Sequence, residues 1–165
     1  MSESQGRRLG GGVVVFVKDE INCVTRLDLQ VGSVESIWLE IKINNKKYLH
    51  GTFYIPPNSG QQIWEELEQS IDLALNSNHY IIITGDFNIN QFGNNTTKTD
   101  NLLAQFSFHQ LITEPTYVAE RSSSQLDLVL DQTRYHMPII GVLYHPIKSH
   151  SSYKQKVFLF DRGDF

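Results

Sequence analysis

The stretch Tyr80-Ile81-Ile82-Ile83-Thr84-Gly85-Asp86-Phe87-Asn88 constrains this chain more than any other. A short apolar run rich in β-branched residues and bounded by a turn residue reads as a strand covered on both faces. Polar groups just past the end of such a strand stand on a rigid support, at the rim where binding clefts form. In an extended segment, side chains two apart point to the same side. On that reading Asp86 and Asn88 converge on one phosphate, water or metal. Gly-Asp-Phe-Asn also reads more simply as a polar turn that closes a strand.

A chain of 165 residues is about one domain and long enough for a real core. With 40% hydrophobic and 19% charged residues it belongs with soluble globular chains, not disordered ones. The net charge of −4 argues against strong non-specific attraction to nucleic acid, which needs a basic surface, though a local basic rim stays compatible. Cys23 is the only cysteine, so there is no disulfide framework and no zinc set, and a buried inert thiol is expected. No apolar run reaches membrane-spanning length, and Met1 to Gly6 carries no secretory pattern, so the expected location is intracellular.

Residues 1–9 are polar and read as disordered, 10–160 as the domain, and 161–165 as the start of a linker. Gly10-Gly11-Gly12 leads into Val13-Val14-Val15-Phe16-Val17, a dense β-branched strand. No Lys-Ser/Thr follows the glycines, which sets a phosphate-loop reading aside. Val24 to Leu29 reads as a second strand. Ile37, Leu39, Ile41 and Ile43 alternate with Trp38, Glu40 and Lys42, the pattern of a strand with one buried face. Asn44-Asn45 turns the chain, Lys47 to Ile55 returns antiparallel, and Pro56-Pro57 stops the ladder. Asn58 or Ser59 is expected to cap a helix from about Gln61 to Leu75, with Ile63, Leu67, Ile71 and Leu75 as its apolar stripe. Glu65, Glu66 and Glu68 read as its solvated face. Beyond the central strand, a polar loop from Gln91 to Thr97 precedes a short helix starting at Thr99 or Asp100. Strands follow at Leu126 to Leu130, Ile139 to Leu143 and Val157 to Phe160. Hairpins mixed with helices that return to a sheet predict two packed sheets with helices outside, an α/β sandwich.

Four segments end strands with reactive polar groups: Tyr54, Asp86 with Asn88, Asp127, and Ser149-His150. Tyr54 before two prolines also reads as core packing with its hydroxyl tied off. Asp127 lies between Leu126 and Leu128, where a carboxylate is costly unless paired, and His150 is its candidate partner. The other histidines (50, 79, 109, 136 and 145) read as surface or satisfied structural residues.

In this order the segments resemble the endonuclease/exonuclease/phosphatase superfamily, in the branch of endonuclease domains from LINE-type (non-LTR) retrotransposons. The matching pieces are Gly10 to Val15, Glu35 to Ile41, Tyr54 to Ser59, Gly85 to Asn88, Glu114-Pro115-Thr116 and Ser122 to Leu128. Asp161-Arg162-Gly163-Asp164-Phe165 is similar to the segment that joins such a domain to a reverse transcriptase. The resemblance implies a DNase I-like, four-layer α/β/β/α sandwich, incomplete at the N-terminus. It also implies a Mg²⁺-dependent phosphodiesterase that nicks target DNA for reverse transcription, in the nucleus, within a larger polyprotein. Carried over by position, Asp86 would orient and deprotonate the attacking water, and Asn88 would hold the phosphate or that water. His150, oriented by Asp127, would bind the scissile phosphate, and Tyr54 would donate to it or support Asp86.

Members of the branch carry a strand–helix–strand section before the Gly-rich strand that supplies the principal metal-binding Glu, and no position here matches it. Glu20, Glu35 and Glu40 do not occupy equivalent motif positions. Ser149-His150 stands where the family has Ser-Asp-His, and Ile55 where this branch commonly has Arg. A hard divalent cation needs several oxygen ligands, so Mg²⁺ affinity and turnover are expected to be low. Missing strands would also leave sheet edges and apolar faces uncovered, with poor solubility expected. Two alternatives stand beside the nuclease: a small-phosphoester phosphatase or phospholipase of the same superfamily, and a non-catalytic folded remnant.

Overall fold

The computed structural model describes residues 12–43, 45–77 and 79–132, and the backbone of 155–159. The expected segments at 1–9, 139–143, 149–150 and 161–165 lie outside these residues. The strands are β1 (Val14–Lys18), β2 (Cys23–Thr25), β3 (Glu35–Ile43), β4 (Lys46–Tyr54), β5 (Tyr80–Asp86), β6 (His109–Gln110), β7 (Tyr117–Ala119), β8 (Ser122–Ser124), β9 (Asp127–Asp131) and β10 (Gln155–Leu159). The helices are α1 (Gln61–Leu75) and α2 (Thr97–Phe106). Six strands form the main sheet in the order β2-β3-β4-β5-β9-β6, while β1 pairs with β10 and β7 with β8 in two small antiparallel sheets.

The layers follow from the two faces of the main sheet. On one face Trp38, Leu49, Phe53, Ile81, Ile83, Leu128 and Leu130 pack against Trp64, Leu67, Ile71 and Ala74 of α1 and Leu102 and Phe106 of α2. On the other, Ile37 and Leu39 meet Val13 and Val17 of the β1 segment. This is the α/β fold of the DNase I-like type, and the described residues supply its helical layer, its main sheet and part of its second sheet. β3 is therefore buried on both faces, not one. Trp38 points to the helices, where its indole N–H donates to Ser70 Oγ at 2.8 Å and Ser70 in turn donates to the Leu29 carbonyl. The Trp38 ring lies over Gly51, where a Cβ would fall 2.8 Å from it.

Several local expectations are corrected. The second strand ends at Thr25, and Leu27–Leu29 forms a 3₁₀ turn. Gly60, not Asn58 or Ser59, is the N-cap of α1; the Ser59 hydroxyl is turned back to the Pro56 carbonyl at 2.6 Å. The α1 stripe includes Trp64, Ser70 and Ala74 besides Leu67 and Ile71, because the helix is flanked by both β3 and α2. Glu66 is not merely solvated. Its carboxylate accepts the N–H groups of Ser33 (2.7 Å) and Val34 (3.1 Å), fixing the chain where it enters β3. Helix α2 begins at Thr97, two residues before the earliest expected start. Cys23 is half-buried, against the Ile37 and Leu39 cluster.

Candidate active site

The connection β4–α1–β5 makes β5 parallel to β4, so their C-terminal ends coincide and Tyr54 stands beside Asp86 in register. β9 runs antiparallel to β5 and therefore starts at that same end, setting Asp127 opposite Asp86. β3 is antiparallel to β4, so its first residue, Glu35, is the register partner of Tyr54. Four consecutive strands thus place Glu35, Tyr54, Asp86 and Asp127 in one row at one end of the sheet. Directly paired side chains on a common face lie about 5 Å apart at Cβ. Tyr54 packs on the Val13, Val17, Ile37 and Leu39 cluster, so the row faces the second sheet.

Gly85 makes this row possible. Its φ of +150° is disfavoured for residues with a side chain, and a Cβ there would lie 1.9 Å from the Phe53 carbonyl oxygen. The loop after β5 is then tied to its neighbours. Ile55 N–H donates to the Asp86 carbonyl (2.9 Å), Phe87 N–H to the Leu126 carbonyl (3.0 Å), and Asn88 Nδ2 to the Ile55 carbonyl (3.0 Å). Asn88 is in the left-handed region at φ 52°. The extended geometry expected for Asp86 to Asn88 is replaced by a turn in which Asn88 N–H donates to Asp86 Oδ1 at 3.0 Å. The two residues are still coupled, but through a backbone hydrogen bond and not through side chains on one side of a strand. Short polar residues tolerate the left-handed region and favour such turns.

Burial raises the Asp86 carboxyl above the ordinary carboxylate range, and the Asp127 charge pushes the same way against the Asn88 N–H. Asp127 is half-buried at the first position of β9, not enclosed among hydrophobic residues. Thr116 Oγ1 accepts the N–H groups of Leu126 (3.0 Å) and Asp127 (3.2 Å) and so fixes where β9 begins. Its expected partner, His150, lies outside the described residues. One layer deeper on the same face, His50 Nε2 and Thr84 Oγ1 are 3.0 Å apart, with Thr52 Oγ1 3.3 Å from Thr84. Burial pushes the His50 imidazole down to about 4, so it is neutral at physiological pH. His79 bonds Ser77 Oγ at 2.8 Å. His50 is thus a satisfied structural histidine, whereas His79 Nε2 is buried without a hydrogen bond among the described residues, 3.4 Å from Glu40 Oε2; His136 and His145 lie outside the described residues.

The structure adds two residues to the sequence-derived site. Glu35, 6% exposed, joins the row through its pairing with Tyr54, a long-range relation that no local pattern reveals. Thr116 sits in the quoted Glu-Pro-Thr segment, but its role needs the distance to β9. Among the described residues no three His, Cys, Asp or Glu side chains are grouped so as to hold a metal ion. Mg²⁺ demands a near-octahedral oxygen set. Waters and substrate phosphate oxygens usually fill most of that set around one or two carboxylates, and Asp86 and Asp127 are the described residues that would offer those carboxylates. No helix among the described residues is long and apolar enough to cross a membrane.

Comparison with known proteins follows the same lines. The family model described as Endonuclease/Exonuclease/phosphatase family matches residues 3–131. No curated protein matches the chain by sequence. Among similar solved structures is the endonuclease domain of TRAS1, a telomere-specific non-LTR retrotransposon. It is 14% identical, with 72% of this chain and 65% of that chain covered and a TM-score of 0.57. The human Nocturnin catalytic domain is 12% identical over 71% of this chain and 47% of that one, with a TM-score of 0.47. A mannosyl-6-phosphatase of Bacteroides thetaiotaomicron VPI-5482 is 15% identical over 70% and 52%, with a TM-score of 0.42. The chain thus spans less than two thirds of the length of each of these structures, and at such identities the TRAS1 likeness is one of fold. With the family model matched over most of its length and the fold in agreement, this chain belongs to the endonuclease/exonuclease/phosphatase family.

Proposed function

We propose that the chain engages a phosphodiester of nucleic acid, in the manner of a non-LTR retrotransposon endonuclease domain, and cleaves it slowly on its own. The observation that carries this reading is the convergence of Tyr54, Asp86 and Asp127 at one sheet end, with Asp86 made less acidic by burial. A carboxylate of raised pKa is the stronger base, which suits Asp86 to take a proton from an attacking water. Tyr54 and the Asn88 carboxamide supply groups that hold phosphate oxygens, the positioning on which phosphoryl transfer depends. His150, oriented by Asp127, completes the set as the acid partner in this reading. Mg²⁺ is the metal implied, with Asp86 and Asp127 as the residues that would hold it, and the slow rate is expected because Ser149-His150 stands where the family has Ser-Asp-His. The exposed hairpin β7–β8 stands beside Asp127 and presents Tyr117 and Val118 to a large substrate. In the same reading the domain works in the nucleus, joined to a reverse transcriptase.

Fluorescence anisotropy with a labelled DNA duplex, run beside plasmid nicking in Mg²⁺ or Mn²⁺, tests this. DNA binding is expected, with at most slow nicking that Asp86→Ala abolishes. Fast hydrolysis of a small sugar phosphate without affinity for DNA would overturn the assignment in favour of a phosphatase.

A further inference from the structure

Beside the acidic row, on the helix side of the sheet, lies a cleft of about 250 Å³ between the loop after β4, the loop after β5 and the first turn of α2. Asn88, whose N–H donates to Asp86 Oδ1, lines it, so the cleft adjoins the candidate active site through that residue. Sites for whole drug-sized ligands start at about 300 Å³, so this one suits a fragment such as a sugar phosphate. Its lining is rich in carboxamides, with Asn90, Asn94 and Asn95 beside Asn88, and its one formal charge is Lys98.

The position of Lys98 is electrostatically unusual. It is the second residue of α2, at the positive end of the helix dipole, where a cation is disfavoured. Its ammonium nevertheless stays there, donating to the Ser59 carbonyl at 3.0 Å and sitting 5.3 Å from the Trp64 ring centroid. Among the described residues no carboxylate pairs with Lys98 and none lines the cleft. Asp100, the acid in the same helical turn, is engaged by the Thr96 hydroxyl at 2.7 Å. Asn90 Oδ1 accepts the N–H groups of Phe92 and Gln125, both at 3.1 Å, so its amide N–H groups are the end left to donate. A protein of net charge −4 therefore keeps one uncompensated cation and a set of neutral donors around a small cleft. An anion with several acceptor oxygens satisfies both at once.

We propose that this cleft is a phosphate subsite that holds a phosphate of the nucleic-acid chain flanking the one at Asp86. The identity of the anion as part of a nucleic acid rests on the function proposed above; the anion site itself does not.

The test pairs two measurements on the full chain. Inorganic phosphate is titrated into ¹⁵N-labelled protein, and a labelled DNA duplex is bound across a salt series, for wild type, Lys98→Gln and Lys98→Arg. Phosphate is expected to shift the amides of Asn95 and Lys98 saturably in wild type and Lys98→Arg, and not in Lys98→Gln. DNA binding should weaken about tenfold in Lys98→Gln, with a salt slope lower by about one, and recover in Lys98→Arg. If Lys98→Gln unfolds, Asn94→Ala, on the loop outside both helices, replaces it, with a weakening of about threefold expected. No phosphate shift in wild type, or an equal shift in Lys98→Gln, overturns the subsite. Phosphate shifts that depend on Lys98, together with DNA binding that does not, overturn the flanking-phosphate assignment. Lys98-dependent phosphate shifts with no DNA binding at all leave the anion site standing and remove the nucleic-acid reading.

Discussion

Replacing His50 by glutamine should change how the protein responds to acid more than it changes the fold. The imidazole is buried against Thr84, and burial holds its folded-state pKa at about 4, against 6.5 for the unfolded chain. The sign follows from which state takes the proton first. Between pH 6.5 and 4 the unfolded chain is protonated at His50 while the folded protein is not. Stability from the neutral ring is thus nearly complete above about pH 7, falls as pH drops through 6.5, and is mostly lost by about pH 4, where the folded ring itself takes the proton. At 1.36 kcal/mol per pKa unit the whole difference is about 3 kcal/mol, of which about 2.5 kcal/mol goes between pH 7 and pH 4.5. Glutamine keeps a hydrogen-bonding group for Thr84 and does not titrate. Other groups move with pH as well, Asp86 in the opposite sense because burial raises its carboxyl, but they are common to both proteins. Urea unfolding followed by tryptophan fluorescence at pH 7 and 4.5 should show His50→Gln losing about 2.5 kcal/mol less than wild type. Equal losses, or a His50 ring resonance that titrates near pH 6.5, would refute the reasoning.

Two further outcomes bear on how the site is held. Gly85→Ala puts a methyl 1.9 Å from the Phe53 carbonyl oxygen at φ +150°; backbone strain and overpacking together should cost roughly 3–5 kcal/mol. A urea-derived loss below about 1 kcal/mol would mean that β4 and β5 approach less closely than this. Glu66→Ala removes the acceptor of the Ser33 and Val34 N–H groups and should cost about 1–2 kcal/mol, with hydrogen exchange faster at those two amides than in β5. Unchanged exchange at Ser33 and Val34 would show that the anchor contributes nothing.

Local pattern carried the elements well wherever the signal was periodic or punctuated. The alternation through Ile37 to Ile43, the prolines after Tyr54, the apolar run into Gly85 and the four-residue spacing along α1 each mark a real element. It failed where partners are distant in sequence. Glu66 looked solvated because nothing near it in the chain shows that the loop at Ser33 and Val34 folds onto it. β3 looked one-sided because the cover for Trp38 comes from α1, more than thirty residues on. Asn88 was read as extended, yet its left-handed backbone is stabilised by bonds to Asp86 and Ile55 that form only once β4 and β5 lie side by side.

By itself the sequence singled out Tyr54, Asp86 and Asp127 as candidates, since each sits at a strand end that hydrophobic periodicity and turn residues mark locally. Their meeting in one row was decided by the tertiary structure. Whether two strand ends coincide depends on whether the strands run parallel or antiparallel, and that is set by the α1 crossover and by pairing between distant segments. The same pairing brought Glu35 into the row, and the packing of α2 beside the β5 loop carried Lys98 to the cleft next to Asn88. Strand and helix propensities act over a few residues, whereas strand direction, register and the electrostatics of a shared rim exist only after the sheet has closed.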